Sequence, residues 1–120
     1  MVIDSVAFQF RCDFKDYAMR ARLLTGSAQR LTELAKSRNI AVVLMNQVTT
    51  KIGDRGSSSF LAPALGETWA HACTNRIMLY WQDGQRYARL YKSPSRKSDI
   101  VAYLVTQEGV SYHPTSILHD

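Results

Sequence analysis

Residues 40–48, IAVVLMNQV, constrain the fold more than any other stretch of this 120-residue chain. Ile40 to Met45 are apolar or small without a break, and Val48 follows two amides. A strand with one wet face alternates in polarity. This run does not, and so predicts a central parallel strand covered on both faces. Residues 1–8, MVIDSVAF, predict an earlier strand, with Asp4 placing a carboxylate near its end. QFRCDFKDYAMRAR reads next as a basic, aromatic loop running into a helix. Leu24, Ala28, Leu31 and Ala35 recur at helical spacing, with Leu34 beside them, so a helix is predicted over 16–38. Gly26 lies inside it, where a bend is expected, and Asn39 is a plausible stop. Strand, helix and strand make a βαβ unit, which is expected to cross over right-handed.

The second half reads differently. Residues 49–65, TTKIGDRGSSSFLAPAL, break every period and predict a flexible Gly/Ser loop, and GETWAHAC predicts a short helix. Asp83-Gly84 separates two β-rich runs, which predicts a hairpin because both turn residues need positive φ. Pro94 is expected to stop the second run. DIVAYLVTQ predicts another strand, followed by a turn at Glu108-Gly109 and a short strand over VSY. The fold class is therefore α/β: a parallel βαβ followed by antiparallel hairpins in a mixed sheet. One domain over 1–112 is expected, with 113–120 as a tail.

Composition narrows the function classes. No apolar run approaches the roughly 18 residues that span a bilayer, and no basic segment precedes an apolar stretch at the start, so neither a membrane span nor a secretory signal is expected. Cys12 and Cys73 lie far apart, outside any C-x-x-C or zinc spacing, and read as small apolar residues in a reducing compartment. The formal charge is +5. From Lys51 to Lys97 there are eight basic residues against three acids, an excess equal to the whole net charge. That bias favours polyanionic partners.

An acid at the end of an apolar strand can hold Mg²⁺ through water in nucleotide-binding folds, and a cap or surface acid explains Asp4 equally well. Asn46-Gln47 end the next strand, where a glutamine can orient water or sense a γ-phosphate, or simply satisfy loop backbone. Lys51, Arg55 and Phe60 in a Gly/Ser segment suit single-stranded nucleic acid, cations on phosphates and a ring on a base. Arg11, Lys15, Arg20 and Arg22, interleaved with Phe10, Phe14 and Tyr17, suit the same role, and both groups can also be solvated loop. His71, two residues after Trp69, reads as a half-buried histidine beside a core tryptophan. Lys92-Ser93-Pro94 ends a hairpin strand. No G-x-x-x-x-G-K-[ST] phosphate loop occurs, and no glycine is followed by lysine. No serine sits in G-x-S-x-G.

In order, VIDSVAF, a basic loop, a helix, AVVLMNQV, a Gly/Ser loop, PALGETWAHACTNRI and LYKSPS resemble the RecA-type recombinases of the eukaryotic and archaeal branch, closest to their C-paralogue group, over roughly residues 1–112. The resemblance implies the C-terminal half of a RecA-like P-loop ATPase core acting in homologous recombination and double-strand-break repair. It implies that Asp4 is the Walker B aspartate positioning Mg²⁺. Gln47 is implied to couple the γ-phosphate to a second DNA loop at 48–65, the first being 10–22. His71 is implied to lie near the nucleotide, and Lys92, Ser93 and Pro94 to form a cap over ATP. ATP and Mg²⁺ are the implied cofactors. Single- and double-stranded DNA and other recombinase paralogues are the implied partners, and the nucleus, with some cytoplasm, the implied location. Lys92 stands where strand-exchange enzymes tend to place an acid, which fits a paralogue.

The family's Walker A loop and catalytic glutamate lie upstream of its Walker B strand, where this chain starts. The expectation is thus a fragment or short isoform that does not bind ATP tightly or turn it over alone, since the main phosphate donors are missing. The basic import tail expected of that branch is also not seen. The second expectation is a non-catalytic module that binds single-stranded DNA weakly or docks on another paralogue. A third is that unpaired strand edges and apolar faces prevent independent folding.

Overall fold

Strand β1 (Val2–Ile3) and strand β2 (Val43–Leu44) pair in parallel, Val2 opposite Val43 and Ile3 opposite Leu44, with helix α1 (Tyr17–Arg38) between them in sequence. This βαβ unit belongs to a computed structural model that describes residues 1–6, 16–51, 60–63 and 65–113. Both strands are shorter than their apolar runs. The amide of Val43 donates to Met1 O, that of Met45 to Ile3 O, and that of Val6 to Met45 O, after which the ladder ends. The expected covering of both faces is not found: Val2 is 67% and Val43 46% exposed, and Ile40, Met45 and Val48 are also exposed. With only two parallel strands in this ladder, one helix and a few side chains cover one side.

Helix α1 follows its predicted limits. The Asp16 carboxylate accepts from the amides of Ala18 at 2.9 Å and Met19 at 3.3 Å, capping the first turn. Asn39 closes the helix in the left-handed conformation, φ 51°, and Lys36 and Arg38 complement the carbonyl end. Leu24 is buried, and Ala28, Leu31, Leu34 and Ala35 are half-buried, as the stripe requires. The helix runs through Gly26 without interruption, and a Cβ added there meets nothing within 4 Å. Gly26→Ala is therefore expected to stabilise the chain by about 0.5–1 kcal/mol, read as a raised midpoint in urea unfolding.

Residues 49–65 are not wholly irregular. Strand β3 (Val48–Lys51) pairs antiparallel with strand β4 (Phe60–Pro63), from Val48 opposite Pro63 to Lys51 opposite Phe60. Val48-Thr49-Thr50 and Phe60-Leu61 are good strand formers, and their pairing outweighs the glycines and serines that dominated the sequence pattern. The rest of the predicted loop, 52–59 and 64, lies outside the described residues. Helix α2 (Glu67–Ala72) follows where expected, entered through Gly66 at φ 87°. Trp69 and Leu65 from this segment close the core on Leu24 and Val6, with Ile3, Ala28 and Leu44 packed around them.

Of the described residues, 74–113 form a second compact unit, and the first ends at Cys73. The second is an antiparallel meander of β5 (Arg76–Gln82), β6 (Gln85–Lys92), β7 (Ile100–Thr106) and β8 (Gly109–Tyr112), in that spatial order. Asp83 and Gly84 have φ of 50° and 76°, the expected two-residue turn between Gln82 and Gln85. The later turn is shifted by one residue from expectation. Thr106 pairs with Gly109, so Gln107-Glu108 make the bend and Gly109 opens β8. The Thr106 hydroxyl, accepting from the Glu108 amide and donating to Gly109 O, fixes that register. Parallel and antiparallel strands occur in the expected order, in three separate ladders among the described residues.

The meander has one face built on Ala102, which is fully buried, with Tyr80 and Tyr87 stacked 5.5 Å apart across β5 and β6. The register puts Ile77, Leu79 and Trp81 on the other face with Ala88, Leu90, Val101, Val105 and Val110. Ile77, Leu79, Trp81 and Val110 are exposed there, as the expectation of open apolar faces had it.

Candidate nucleotide and nucleic-acid site

Parallel pairing decides where the first candidate residues lie. Asp4 leaves the carboxyl end of β1 in a turn, and Asn46-Gln47 leave the carboxyl end of β2. The bond from Met45 N to Ile3 O and that from Val6 N to Met45 O tie these two exits side by side. Asp4 and Gln47 are both exposed, and the Asp4–Ser5 peptide is cis. The Gln47 amide is held by the Asn46 side-chain carbonyl at 2.8 Å, and β3 begins at the next residue. Gln47 thus stands between the end of β2 and the first residue of β3. In α/β folds the crevice outside the carboxyl ends of parallel strands is where ligands bind.

Around that crevice the predicted residues divide. Lys51 ends β3 opposite Phe60, which opens β4, so these two form the last pair of that ladder. Arg55 and Arg11 lie outside the described residues, as do Phe10, Phe14 and Lys15. Arg20 and Arg22 are not loop residues. The Arg20 amide donates to Asp16 O at 3.1 Å, and both belong to the first turns of α1. Of the 10–22 segment that the resemblance implies as a first DNA loop, residues 16–22 thus belong to the cap and first turns of the helix expected over 16–38. Arg22 is exposed and Arg20 half-buried.

His71 is exposed rather than half-buried, while Trp69 is only 5% exposed. Two residues along a helix turn the side chain by about 200°, so a buried Trp69 points His71 away from the core. Cys73 is half-buried, with Sγ 4.0 Å from Trp69 O, and Cys12 is outside the described residues. In the second unit Lys92 ends β6, Ser93 is half-buried and Pro94 exposed, and the ladder stops there as expected.

Three cation–aromatic contacts were not anticipated. The Arg86 guanidinium lies 4.2 Å from the Trp81 ring centre, and Arg76 and Arg89 lie 4.9 and 5.6 Å from that of Tyr91. The first was legible in principle: counting outward from the Asp83-Gly84 turn pairs Trp81 with Arg86. These contacts hold three cations on the hairpin.

Among the described residues no group of three or more His, Cys, Asp or Glu could hold a metal. A lone carboxylate such as Asp4 suits Mg²⁺, which binds through one or two carboxylates, waters and substrate phosphates. The nucleotide itself fits these 120 residues less well, since no phosphate-cradling loop is among them. No helix of the described residues is long and apolar enough to cross a membrane.

A family model described as Rad51 matches residues 1–113. The chain is 49% identical over 119 residues to the DNA repair protein RAD51 homolog 3 of Dictyostelium discoideum, covering 95% of this chain and 31% of that protein. It is 45% identical over 109 residues to the protein of the same name from Cricetulus griseus, covering 91% and 29%. To the meiotic recombination protein DMC1 homolog of Lilium longiflorum it is 34% identical over 119 residues, covering 92% and 33%. The chain thus spans about a third of the length of these relatives, and shares more with the two homolog 3 proteins than with DMC1. With the strand-end acid, the glutamine at the root of the Gly/Ser segment and the KSP segment all inside the matched region, this chain belongs to the Rad51 family of RecA-type recombinases.

Proposed function

We propose that this chain contributes the Walker B strand, the DNA-loop segments and the ATP-cap segment of a recombination and repair protein of the recombinase-paralogue type. The observation that carries this reading is the adjacency of Asp4 and Gln47 at neighbouring strand ends inside the family match. Asp4 would hold Mg²⁺ through water, and Mg²⁺ with ATP would supply the charge that Gln47 senses. Gln47 passes directly into β3, so a change at its side chain would reach Lys51. His71 would lie near the nucleotide, and Lys92, Ser93 and Pro94 would cover a nucleotide on a neighbouring subunit. Arg11, Arg20, Arg22, Lys51, Arg55 and Phe60 would meet DNA, single- or double-stranded. Other recombinase paralogues are the protein partners in this reading, and the nucleus, with some cytoplasm, the compartment. The relatives' names, a DNA repair protein and a meiotic recombination protein, support it.

The 120 residues lack the phosphate loop, so by themselves they act as the DNA-facing and partner-facing part of the core rather than as an ATPase. The test is in the host. Deleting the gene is expected to sensitise cells to double-strand breaks, and a chromosomal Asp4→Asn change to reproduce most of that sensitivity. Survival unchanged by the deletion would sink the repair reading. Survival lost on deletion but untouched by Asp4→Asn would sink only the Mg²⁺ role.

A further inference from the structure

The sequence has three prolines, and only Pro94 follows a hydroxyl residue: Pro63 follows Ala62 and Pro114 follows His113. In Ser93-Pro94-Ser95-Arg96-Lys97 the proline stands directly after a serine and a guanidinium three residues after it. Proline-directed serine/threonine kinases accept this pattern. Proline brings no N–H that a kinase groove would have to satisfy, and arginine offers a fork of donors to acidic groups on the enzyme.

The structure presents the segment suitably. β6 ends at Lys92 and β7 begins at Ile100, and residues 93–99 carry neither helix nor strand. Residues 94–99 are all exposed. The Ser93 hydroxyl makes one long contact, accepting from the Ser95 amide at 3.3 Å. The loop is pinned at its far end, where the Leu90 amide donates to Asp99 O at 2.9 Å and the Asp99 carboxylate accepts from the Ile100 amide at 2.8 Å. A kinase can therefore draw out the acceptor serine by releasing a weak contact, without opening the sheet.

We infer that Ser93 is a phosphorylation site for a proline-directed serine/threonine kinase. The Ser93 Oγ attacks the γ-phosphorus of the kinase's ATP, the bond from that phosphorus to the bridging oxygen breaks, ADP leaves, and the hydroxyl proton passes to the kinase. The product places about −1.5 to −2 charges beside Lys92, Arg96 and Lys97, which cancels most of the positive charge of the loop. Arg96 and Lys97 can then pair with the phosphate oxygens and order residues 93–97. The modification stands whether or not residues 92–94 cover a nucleotide.

The experiment incubates the full 120-residue chain with a purified cyclin-dependent kinase and MgATP, and locates phosphate by tandem mass spectrometry. One phosphate on Ser93 is expected. Ser93→Ala should abolish it and Ser95→Ala should leave it. Pro94→Ala should lower the initial rate by at least about tenfold, and Arg96→Ala by roughly tenfold. No labelling of the chain, or labelling that survives Ser93→Ala and is lost in Ser95→Ala, would overturn the inference.

Discussion

Trp69→Ala is expected to cost the first unit about 3–5 kcal/mol, enough to abolish cooperative unfolding of that unit at 25 °C. The reason is the size of the core. Among the described residues Val6, Leu24, Leu65 and Trp69 are buried together, with Ile3, Ala28 and Leu44 partly buried around them. Trp69 is the largest of these, and it joins α2 to α1 and the parallel strands. Among the described residues no second apolar layer stands behind it to collapse into the gap, since Val2 and Val43 are exposed. Trp81, 61% exposed, is the only other tryptophan, so a Trp81→Phe background isolates Trp69 as reporter. Its emission should be blue-shifted and move red through one cooperative urea transition. Leu23→Ala, on the exposed side of α1, should shift that midpoint by no more than about 0.5 kcal/mol. Trp69→Ala removes that reporter, so its unfolding is followed by far-UV circular dichroism, and if it costs no more than Leu23→Ala by the same probe, the proposed core does not hold the unit together.

The helix and the first hairpin of the meander were legible because their signals are local. Asp16, the apolar stripe and Asn39 lie within one element, and Asp83-Gly84 needs only its own φ values. The parallel strands were legible in kind but not in length or covering, since apolar residues alone do not say what lies against them. Residues 40–48 read as a fully covered strand, yet only Val43 and Leu44 pair in the ladder. The β3–β4 hairpin was missed for a different reason. Gly53, Gly56 and three serines mark a break, and that mark was extended over flanking residues whose strand preference decides their state.

For the site, sequence order was a better guide than residue type. Asp4 and Gln47 come together because parallel strands send their ends to one side, which follows from the βαβ pattern. His71 was misjudged because adjacency to Trp69 in sequence was taken for adjacency in space, whereas helical spacing turns the two apart. Arg20 and Arg22 fell both in the helix predicted over 16–38 and in the 10–22 loop that the resemblance implies, and the helix is where they lie. The pairing of Arg86 with Trp81 needed a register count, which composition cannot supply.

Binding of an oligothymidine to this chain is expected to be weak and steeply dependent on salt. If about three phosphates are neutralised, log K should fall against log[salt] with a slope of about −2, some 16-fold between about 50 and 200 mM. On the proposed function, two of those contacts come from Lys51 and Arg55. The double substitution Lys51→Ala with Arg55→Ala should then bring the slope to about −0.7, leaving roughly a threefold dependence over the same range. Phe60→Ala should act differently. A lost stacking contact of about 1–3 kcal/mol lowers affinity at every salt concentration and leaves the slope unchanged. The comparison that decides is with the meander, where Arg76, Arg86 and Arg89 are held against Tyr91 and Trp81. These cations lie outside the predicted loops and supply a competing polyanion surface. Arg89→Ala should leave the slope at about −2 if the loops carry binding. A slope that is untouched by the Lys51/Arg55 pair and reduced by Arg89→Ala would move the nucleic-acid contact from the Gly/Ser segment to the sheet. Gln47 would then lose its proposed part in DNA binding, because the segment it leads into would no longer touch the strand.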